Sequence, residues 1–417
     1  MRPVEKVEES GKHLGLRFVA FLVCLTVGVG ALGYGVYQWL STEPGWVRIE
    51  ANTGDVRSCG SEFAFDYLLT GDGFANTGHL RAVRAAYNQL AVRAYRLFTT
   101  AETVADEDDP LVEHNLCYIN AHPNEEVEID PVLYRALALV EEYDSRAVYL
   151  GPLYSVYGDL FFCQDDGETR DLDPFQSPEM AAFCRELADY AADPAHIRLD
   201  LLDGNRVKLY VSEEYLRYAR DEGRDVFLDF GWLRTAFMAD YMAESLASQG
   251  LDAGMLSSYD GVTRCLGGDI GQQVFNLYDW DGRQGIVAAQ ASFGQQRVNA
   301  VSLRTFPLNS LDSQRCYTFE DGELRHSYID PRDGLCRAAV DSLALYGEGI
   351  GCGELALQAE PLLVADSLDH AALAALPQDT GALAVDGQTV LSTWQTLQID
   401  GLYAVGTLQY DWKYIGE

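Results

Sequence analysis

The longest uncharged run in the sequence lies close to its start and constrains the chain most. Residues 18–40 read FVAFLVCLTVGVGALGYGVYQWL and contain no Asp, Glu, Lys or Arg. As a helix, this run is long enough to cross the roughly 30 Å hydrocarbon core of a bilayer. Basic residues are more frequent before the run than directly after it. The positive-inside tendency therefore predicts a cytoplasmic N-terminus over 1–17, a transmembrane helix over 18–40 and an extracytoplasmic domain over 46–417.

A cleaved signal peptide is the alternative interpretation of this run. Its apolar part would be shorter and would end in a cleavage site of small residues. Here the run continues through Tyr34, Tyr37 and Trp39, residue types that are enriched at membrane–water interfaces. These aromatic residues favour a single retained anchor in the cell membrane.

The chain as a whole is strongly acidic. Its 417 residues include 64 Asp and Glu against 30 Lys and Arg, which gives a formal net charge of −34. This charge excludes nucleic-acid binding through a general basic surface, because a polyanion would be repelled. Hydrophobic residues make up 48% of the chain, which is enough for a folded core. The nine cysteines form no CxxC motif, so disulfides and buried thiols both stay open.

Apolar periodicity predicts the elements of the first half. Residues 59–69 alternate like a strand, and residues 79–98 carry an apolar stripe at helical spacing. Asp130 and Pro131 suit the N-cap and the first turn of another helix. Residues 158–224 are polar and rich in loops, and we interpret them as an insertion or lid.

Strand patterns dominate the second half. Residues 226–230 (VFLDF) predict a buried strand, and residues 235–250 predict the amphipathic helix that follows it. Alternating segments then recur at VFNLYDWDG, GIVAAQASF, VNAVSLRTF and in the tail. The chain is therefore predicted to be an α+β protein with interleaved helices and a mainly antiparallel sheet.

Two short strings are candidates for chemistry. Residues 326–334 (HSYIDPRDG) leave a strand and enter a turn, where Asp330 and Asp333 either present carboxylates to a cation or only cap the turn. The string DFG at 229–231 precedes the predicted helix. Backbone N–H groups at such a helix start either cradle an anion such as pyrophosphate or simply belong to a capped helix. The residues alone leave both alternatives open for each string.

Several strings occur in an order that is typical of one known family. They are Cys59-Gly60-Ser61, Tyr118-Ile119-Asn120, Val127-Glu128-Ile129-Asp130, Gly151-Pro152-Leu153 with Tyr157-Gly158, Asp229-Phe230-Gly231 with Asp240, and the string at 326–334. From about residue 59 to residue 375, the chain resembles the FAD:protein FMN transferases, also called the ApbE family. The resemblance implies an ApbE-like α+β fold on a membrane tether. It also implies a protein that binds FAD with Mg²⁺ and moves FMN onto a Thr or Ser of a partner flavoprotein.

The resemblance assigns roles to individual residues. The implied catalytic residues are His326, Asp330 and Asp333. The positions implied to bind the flavin nucleotide are Cys59, Gly60, Asp229, Gly231, Thr235, Tyr259, Asp260 and Ser310. Asp333 and Glu354 are the carboxylates that could substitute for the family's metal ligands. An acceptor flavoprotein in the envelope is the implied partner.

The chain departs from the family pattern where the chemistry is concentrated. The family's histidine position falls on Ser327, with His326 displaced by one residue, which on a strand turns the side chain to the opposite face. The family's A-K-G reads Arg234-Thr235-Ala236, so the lysine is replaced by a threonine. Gly353 and Leu357 stand where the family has the Asp and Thr that hold the metal. We therefore expect a relative with impaired catalysis.

Two further hypotheses belong to other classes. A degenerate, non-catalytic envelope protein would keep the fold and bind a flavin or a protein partner. An unrelated envelope enzyme would use paired carboxylates such as Asp165 and Asp166, for example on a glycan, although such pairs are frequent in so acidic a chain. An active transferase would gather Asp330 or Asp333, Glu354 and the 229–235 turn around one pocket.

Overall fold

Helices and strands alternate along the chain in the computed structural model. It describes residues 14–40, 42–50, 63–71, 73–101, 114–163, 165–268, 271–294, 296–395, 397–405 and 408–416. The helices are α1 (Leu14–Leu40), α2 (Gly73–Phe98), α3 (Leu116–Ala121), α4 (Pro131–Glu142), α5 (Gly151–Phe162), α6 (Asp166–Leu172), α7 (Pro178–Ala192), α8 (Glu213–Asp221), α9 (Arg234–Ser248), α10 (Cys352–Leu363) and α11 (His370–Ala374). The strands are β1 (Gly45–Glu50), β2 (Phe63–Leu69), β3 (Glu126–Glu128), β4 (Ile197–Leu202), β5 (Arg206–Val211), β6 (Gly254–Ser258), β7 (Val262–Gly267), β8 (Val274–Trp280), β9 (Gly285–Ser292), β10 (Asn299–Arg304), β11 (Cys316–Thr318), β12 (Leu324–His326), β13 (Ser342–Gly347), β14 (Thr380–Asp386), β15 (Thr389–Ser392), β16 (Gln398–Leu402), β17 (Ala404–Val405), β18 (Leu408–Gln409) and β19 (Asp411–Tyr414). The predicted α+β class with interleaved helices is confirmed.

The strands pair mostly antiparallel, as predicted. The largest sheet has nine strands in the order β1-β2-β6-β7-β10-β13-β14-β15-β19, in which β19 runs parallel to β15. Two sheets have three strands each, β16-β9-β8 and β3-β5-β4. The pairs β11-β12 and β17-β18 form two small ribbons. Short turns join β6 to β7 and β14 to β15, so these neighbours in sequence are also neighbours in the large sheet.

One apolar core lies between strands of the nine-stranded sheet and the β16-β9-β8 sheet. Its buried members include Leu277, Ala289, Ala291, Phe293, Val298, Tyr346, Leu383 and Val390. The Phe293 ring meets the Tyr346 ring edge-on at 4.6 Å between centroids, and Tyr346 meets Trp394 at 4.9 Å. Full burial of each large apolar side chain contributes about 1.5–3 kcal/mol, so this cluster holds the two sheets together.

Helix starts follow the capping residues of the sequence. α4 begins at Pro131, and the Asp130 side chain accepts a hydrogen bond from the Val132 N–H at 2.8 Å. This cap satisfies an N–H group that has no partner inside the helix. α2 covers the helix predicted over 79–98, and α9 matches the helix predicted after the DFG string. These predictions are confirmed.

The strand predicted over residues 226–230 is wrong. The segment is irregular, and Phe227, Leu228 and Phe230 are all buried instead of alternating. The Asn120 Oδ1 accepts hydrogen bonds from the N–H groups of Phe227 and Leu228, at 2.9 and 2.8 Å. The Asn120 Nδ2 donates to the Leu228 carbonyl at 2.8 Å. One amide side chain therefore satisfies backbone groups that a neighbouring strand would otherwise pair.

Residues 158–224 form ordinary secondary structure. They contain the end of α5, the helices α6 to α8 and the strands β4 and β5. β5 pairs with β4 on one side and with β3 on the other, which ties the segment to residues earlier in the chain. Whether this segment is an insertion or a lid stays a prediction of the sequence.

The chain divides into two units. The smaller one consists of residues 1–47 and 68–83, of which the structure describes a part, and the larger one of residues 48–67 and 84–417. In the smaller unit, the Asn76 amide donates hydrogen bonds to the carbonyls of Thr42 and Gly71, at 3.1 and 2.8 Å. Within the described ranges, we find no helix whose length and apolar character would let it cross a membrane, so the transmembrane helix over 18–40 is not shown and stays a prediction of the sequence.

Candidate functional site

A cavity of about 200 Å³ lies in the larger unit. Its walls come from α5, the turn before α9, the turn between β6 and β7, the loop before β11 and the residue that follows β12. Sites that enclose a whole small molecule usually start at roughly 300 Å³. This cavity is smaller than that, so part of a larger ligand would lie outside it.

Aromatic side chains form a large part of the wall. Tyr154, Tyr157 and Phe161 lie on one face of α5, three and four residues apart. The Trp232 indole, which is 9% exposed, also lines the cavity. Flat aromatic walls favour a flat ligand ring. Of these residues, only Tyr157 belongs to a string that the sequence singled out, although the helical spacing of aromatic residues after Gly151-Pro152 is a signal that could have located Tyr154 and Phe161 as well.

The Tyr154 hydroxyl is a buried polar group without a partner. Its oxygen is closed to solvent and forms no hydrogen bond with the part of the chain that the structure describes. Burial raises the pKa of Tyr154 well above its ordinary value, and the negative charges of Glu360 and Asp229 add to this effect. The hydroxyl is therefore protonated and able to donate. Buried hydroxyls rarely lack a partner, so a ligand acceptor atom that reached this oxygen would satisfy it.

The turn before α9 brings a carboxylate, a glycine and an arginine to the cavity. The Gly231 N–H donates to Asp229 Oδ1 at 2.8 Å. Gly231 has a φ of +51°, and a Cβ there would lie 2.3 Å from the Tyr154 Cζ, so only glycine fits. Burial raises the pKa of Asp229, while the Gly231 hydrogen bond and the Arg234 charge oppose that rise. Arg234 and Thr235 begin α9 and line the cavity.

An arginine network fixes the turn between β6 and β7. The Arg304 guanidinium, whose side chain is 6% exposed, pairs with Asp312 at 3.0 Å. It also donates to the carbonyl oxygens of Tyr259 and Asp260, at 2.9 and 3.2 Å. Arg315 pairs with Asp312, and its Nη1 lies 3.7 Å from the Asp260 Oδ2. Burial alone would lower the pKa of Arg315, but the charges of Asp260 and Asp312 raise it above its ordinary value.

The structure gathers most of the positions that the resemblance implied for flavin binding. Those that line the cavity are Asp229, Gly231, Thr235, Tyr259 and Asp260. Ser310 begins the 3₁₀ turn Ser310–Gln314, whose Leu311 and Gln314 line the cavity. Cys59 and Gly60 lie outside the described residues. The motif order therefore locates one cavity, and the flavin role of these residues stays a prediction.

His326 lies outside the cavity lining, whereas Ser327 belongs to it. His326 ends β12, is 8% exposed, and its Nδ1 accepts a hydrogen bond from the Tyr328 N–H at 3.3 Å. Burial lowers the pKa of His326 to about 3, and the positive charge of Arg325 contributes further. The imidazole is therefore neutral at pH 7. Because successive residues of a strand face opposite sides, the displacement by one residue takes the imidazole away from the cavity.

The two carboxylates after β12 face arginines. Asp330 is 1% exposed and accepts hydrogen bonds from the Arg332 backbone and guanidinium, at 2.9 and 3.0 Å. Arg337 Nε lies 2.7 Å from the Asp330 carboxylate. Burial would raise the pKa of Asp330, but the Arg332 hydrogen bonds and the Arg337 charge lower it. Asp333 accepts from the Leu335 N–H at 3.1 Å and pairs with Arg337. Neither carboxylate lines the cavity, which favours the interpretation as a capped turn.

The carboxylates suggested as substitute metal ligands do not form a site. Across the ranges that the structure describes, no group of three or more His, Cys, Asp or Glu side chains could hold a metal ion. Glu354 accepts a hydrogen bond from the Tyr143 hydroxyl at 2.9 Å. Neither Glu354 nor Asp333 belongs to the cavity lining. The residues 330, 333 and 354 are therefore not gathered around the pocket that contains the 229–235 turn.

The start of α10 occupies the segment where the family holds its metal. The Asp240 carboxylate accepts hydrogen bonds from the N–H groups of Cys352 and Gly353, at 2.9 and 2.8 Å. A Cβ at Gly353 would lie 2.8 Å from a Phe237 ring carbon, so a ligand side chain has no room there. Leu357 is 2% exposed and has no side-chain oxygen. Gly353 and Leu357 offer no side-chain oxygen, and the Asp240 carboxylate is already bound to two backbone N–H groups. This segment therefore does not fit Mg²⁺, which requires oxygen ligands.

The fold and the site together define a class of protein: a mixed α+β domain with a mainly antiparallel sheet and an aromatic, charged cavity. Its fold is that of the ApbE flavin transferases. The ApbE protein from Thermotoga maritima superimposes with a TM-score of 0.55 at 17% identity, over 82% of this chain and 94% of that one. The flavin transferase ApbE from Vibrio cholerae gives a TM-score of 0.53 at 14% identity, over 86% of this chain and 96% of that one.

A variant of the Vibrio cholerae protein with a histidine changed to glycine is similar as well. Its TM-score is 0.50 at 13% identity, over 83% of this chain and 95% of that one. No protein-family model and no curated protein matches the sequence. At these identities the structural likeness establishes the fold.

Proposed function

We propose that the cavity binds the flavin ring of FAD. The observation that carries this proposal is a cavity walled by aromatic rings, one of which, Tyr154, has a buried hydroxyl without a hydrogen-bond partner among the described residues. An isoalloxazine ring is flat, so it stacks on aromatic walls, and its carbonyl oxygens and ring nitrogens accept hydrogen bonds. The ApbE fold supports a flavin as the ligand, since the similar Vibrio cholerae protein is named a flavin transferase.

The activity that we propose is transfer of FMN from FAD to a Thr or Ser hydroxyl of a partner flavoprotein. In this step the acceptor oxygen bonds to the FMN phosphorus, the pyrophosphate P–O bond breaks, and AMP leaves. The hydroxyl proton goes to a base at the site. Asp229 is our candidate for this base, because it lines the cavity and burial raises its pKa towards neutrality.

Flavin binding without transfer is the second candidate function. It is supported by the placement of His326, whose neutral imidazole is buried away from the cavity. The blocked metal segment at the start of α10 supports it too. In this case the protein would be an impaired or degenerate relative that holds a flavin or presents a bound flavin to a protein partner.

Titration of the full chain with FAD tests the binding proposal. We expect FAD and riboflavin to bind, and we expect Tyr154→Phe to weaken both by roughly threefold to tenfold, the value of one hydrogen bond. Tyr215→Phe is the matched control, because the Tyr215 hydroxyl is also buried and has no hydrogen-bond partner in the described part of the chain, but Tyr215 does not line the cavity. If neither flavin binds to the folded chain, the proposal is wrong.

A second measurement separates the two candidate functions. The chain that has bound FAD is mixed with flavoproteins from the same envelope, and AMP release is followed together with covalent flavin on the acceptor. Release of AMP in proportion to acceptor labelling supports the transferase. Tight FAD binding without AMP release supports flavin binding alone.

We further propose that the chain is attached to the cell membrane with its main domain outside the cytoplasm. The support is the uncharged run at 18–40 and the basic residues that precede it. Fractionation of cells that express the full chain, or a form without residues 1–45, tests this. Equal release of both forms from the membrane fraction would contradict the proposal.

A further inference from the structure

The two arginines at the cavity suggest how the chain recognises the anionic part of its ligand. Resting on the proposed function, we propose that Arg234 and Arg315 bind the pyrophosphate of the flavin dinucleotide without a divalent cation. Both side chains line the cavity. A guanidinium offers five N–H donors in a planar fork that matches two phosphate oxygens at once. The arginines would thus supply the positive charge that a metal ion supplies in the related family.

Arg315 is held in place for this role. Asp312 pairs with its guanidinium, and Asp312 is itself buried and paired with Arg304. The second carboxylate near Arg315, that of Asp260, lies at the longer distance of 3.7 Å, so this pair is loose. An arginine that is fixed on one side and loosely paired on the other can turn donors to a phosphate with little loss of side-chain entropy.

Arg234 supplies the second charge from a different segment. It is the first residue of α9, directly before Thr235, which replaces the lysine of the family's A-K-G motif. The chain therefore keeps a basic side chain at this turn, displaced by one residue. Its side chain lines the cavity together with Asp229.

The remaining charged groups of the cavity do not form a cation-binding site. The lining contains two carboxylates, Asp229 and Asp260, and each has an arginine nearby. The Ser258 hydroxyl and the Gly231 N–H also donate to them. The formal charges of the two carboxylates and the two arginines in the lining, Asp229, Asp260, Arg234 and Arg315, cancel, whereas a Mg²⁺ site needs uncompensated oxygen ligands. The incoming phosphates would instead share the arginines.

The test is FAD binding to the full chain by titration calorimetry, once with EDTA and once with excess Mg²⁺. We expect binding in EDTA, with an affinity that Mg²⁺ changes by less than about threefold. Arg234→Gln and Arg315→Gln should each weaken FAD by roughly tenfold, the value of a charge-assisted hydrogen bond, and leave riboflavin binding unchanged. Arg198→Gln removes an exposed arginine that does not belong to the lining and serves as the control.

Arg315→Lys separates loss of charge from loss of the fork, because lysine keeps the charge and provides only a point contact. Circular dichroism of every variant shows whether it folds. If FAD binds only with Mg²⁺, the inference is overturned while the proposed function stands. If FAD binds in neither condition, the proposed function fails, and a titration with inorganic pyrophosphate in EDTA then decides the inference. Pyrophosphate binding that is lost in both Gln variants supports the inference. The absence of pyrophosphate binding overturns it.

Discussion

The buried carboxyl of Glu360 gives a prediction whose size follows from the structure. Glu360 lies on α10, accepts a hydrogen bond from the Ser145 hydroxyl, and contributes to the electrostatic environment of Tyr154. Burial raises its pKa from 4.5 to about 7, although the Ser145 hydrogen bond acts in the opposite direction. We predict that Glu360→Gln makes the free energy of unfolding less dependent on pH.

The sign follows from which state holds the proton. Between pH 4.5 and about 7, the folded chain keeps the Glu360 proton while the unfolded chain has lost it. Stability from this group is therefore full below pH 4.5 and is lost as the pH rises through about 7. The difference between the two pKa values corresponds to about 3 kcal/mol. Glutamine cannot ionise, so the variant should be spared this loss and be more stable than the parent at pH 8, by up to about 3 kcal/mol.

Denaturant unfolding of the full chain between pH 4.5 and pH 8 measures this effect. The control is Glu354→Gln, which removes another carboxylate from α10 and leaves the titration of Glu360 in place. Ser145→Ala should steepen the pH dependence, because it removes the hydrogen bond that lowers the pKa of Glu360. A Glu360→Gln variant with the same pH dependence as the parent would refute the reasoning.

Three further predictions concern the segment before α9. Leu228→Asp places a charge at a fully buried position and should cost more than about 4 kcal/mol of unfolding free energy, so a parent-like melting temperature would contradict its place in the core. Asn120→Ala should cost about 2–4 kcal/mol by leaving buried backbone groups unpaired, and Asn120→Asp, which sets a buried carboxylate oxygen against the carbonyls of Leu116 and Leu228, should cost at least as much in the same denaturation experiment. Gly231→Ala should lower both FAD affinity and stability, by about 2 kcal/mol or more, because of the clash with Tyr154. Gly204→Ala, at a similar positive φ with open space around it, should show only the smaller backbone cost of about 1 kcal/mol.

Local signals explain the parts of the fold that the sequence predicts well. The cap of α4 depends on Asp130 and Pro131 alone, which are adjacent to the helix that they start. Alternation in the second half of β8 reflects one buried and one more exposed face, and the chain displays that pattern within the strand itself. Such features need no knowledge of distant residues.

The segment at 226–230 could not be predicted in the same way. Its apolar run is compatible with a buried strand, and the deciding contact comes from Asn120, which is 108 residues earlier than Leu228. A side-chain amide that replaces a strand partner leaves no local signal in the segment. The same holds for Arg315, whose orientation depends on Asp260 and Asp312.

The departures from the family pattern around the cavity are linked by one requirement, the neutralisation of negative charge on the ligand. At the start of α10, Gly353 packs against Phe237 and leaves no room for a metal ligand, so on our proposal Arg234 and Arg315 neutralise the charge of a bound pyrophosphate. Guanidinium groups can also stabilise the charge that develops in phosphoryl transfer, as they do in enzymes that use an arginine finger. Loss of the metal segment therefore does not by itself abolish transfer.

The need for a proton acceptor restricts FMN transfer more than the loss of the metal segment does. His326 is turned away from the cavity, which leaves Asp229 as our proposed base. Burial raises the pKa of Asp229, so its carboxyl ionises at higher pH than an ordinary aspartate does. Because only the ionised form accepts a proton, any transfer that depends on it should become faster as the pH rises. The rate of a transferase that used a buried carboxylate as its base would depend on pH differently from the rate of one that used a histidine. The carboxylate has to be ionised while it is removed from water, and burial disfavours its ionised form. The cavity would thus retain flavin more readily than it would activate an acceptor hydroxyl.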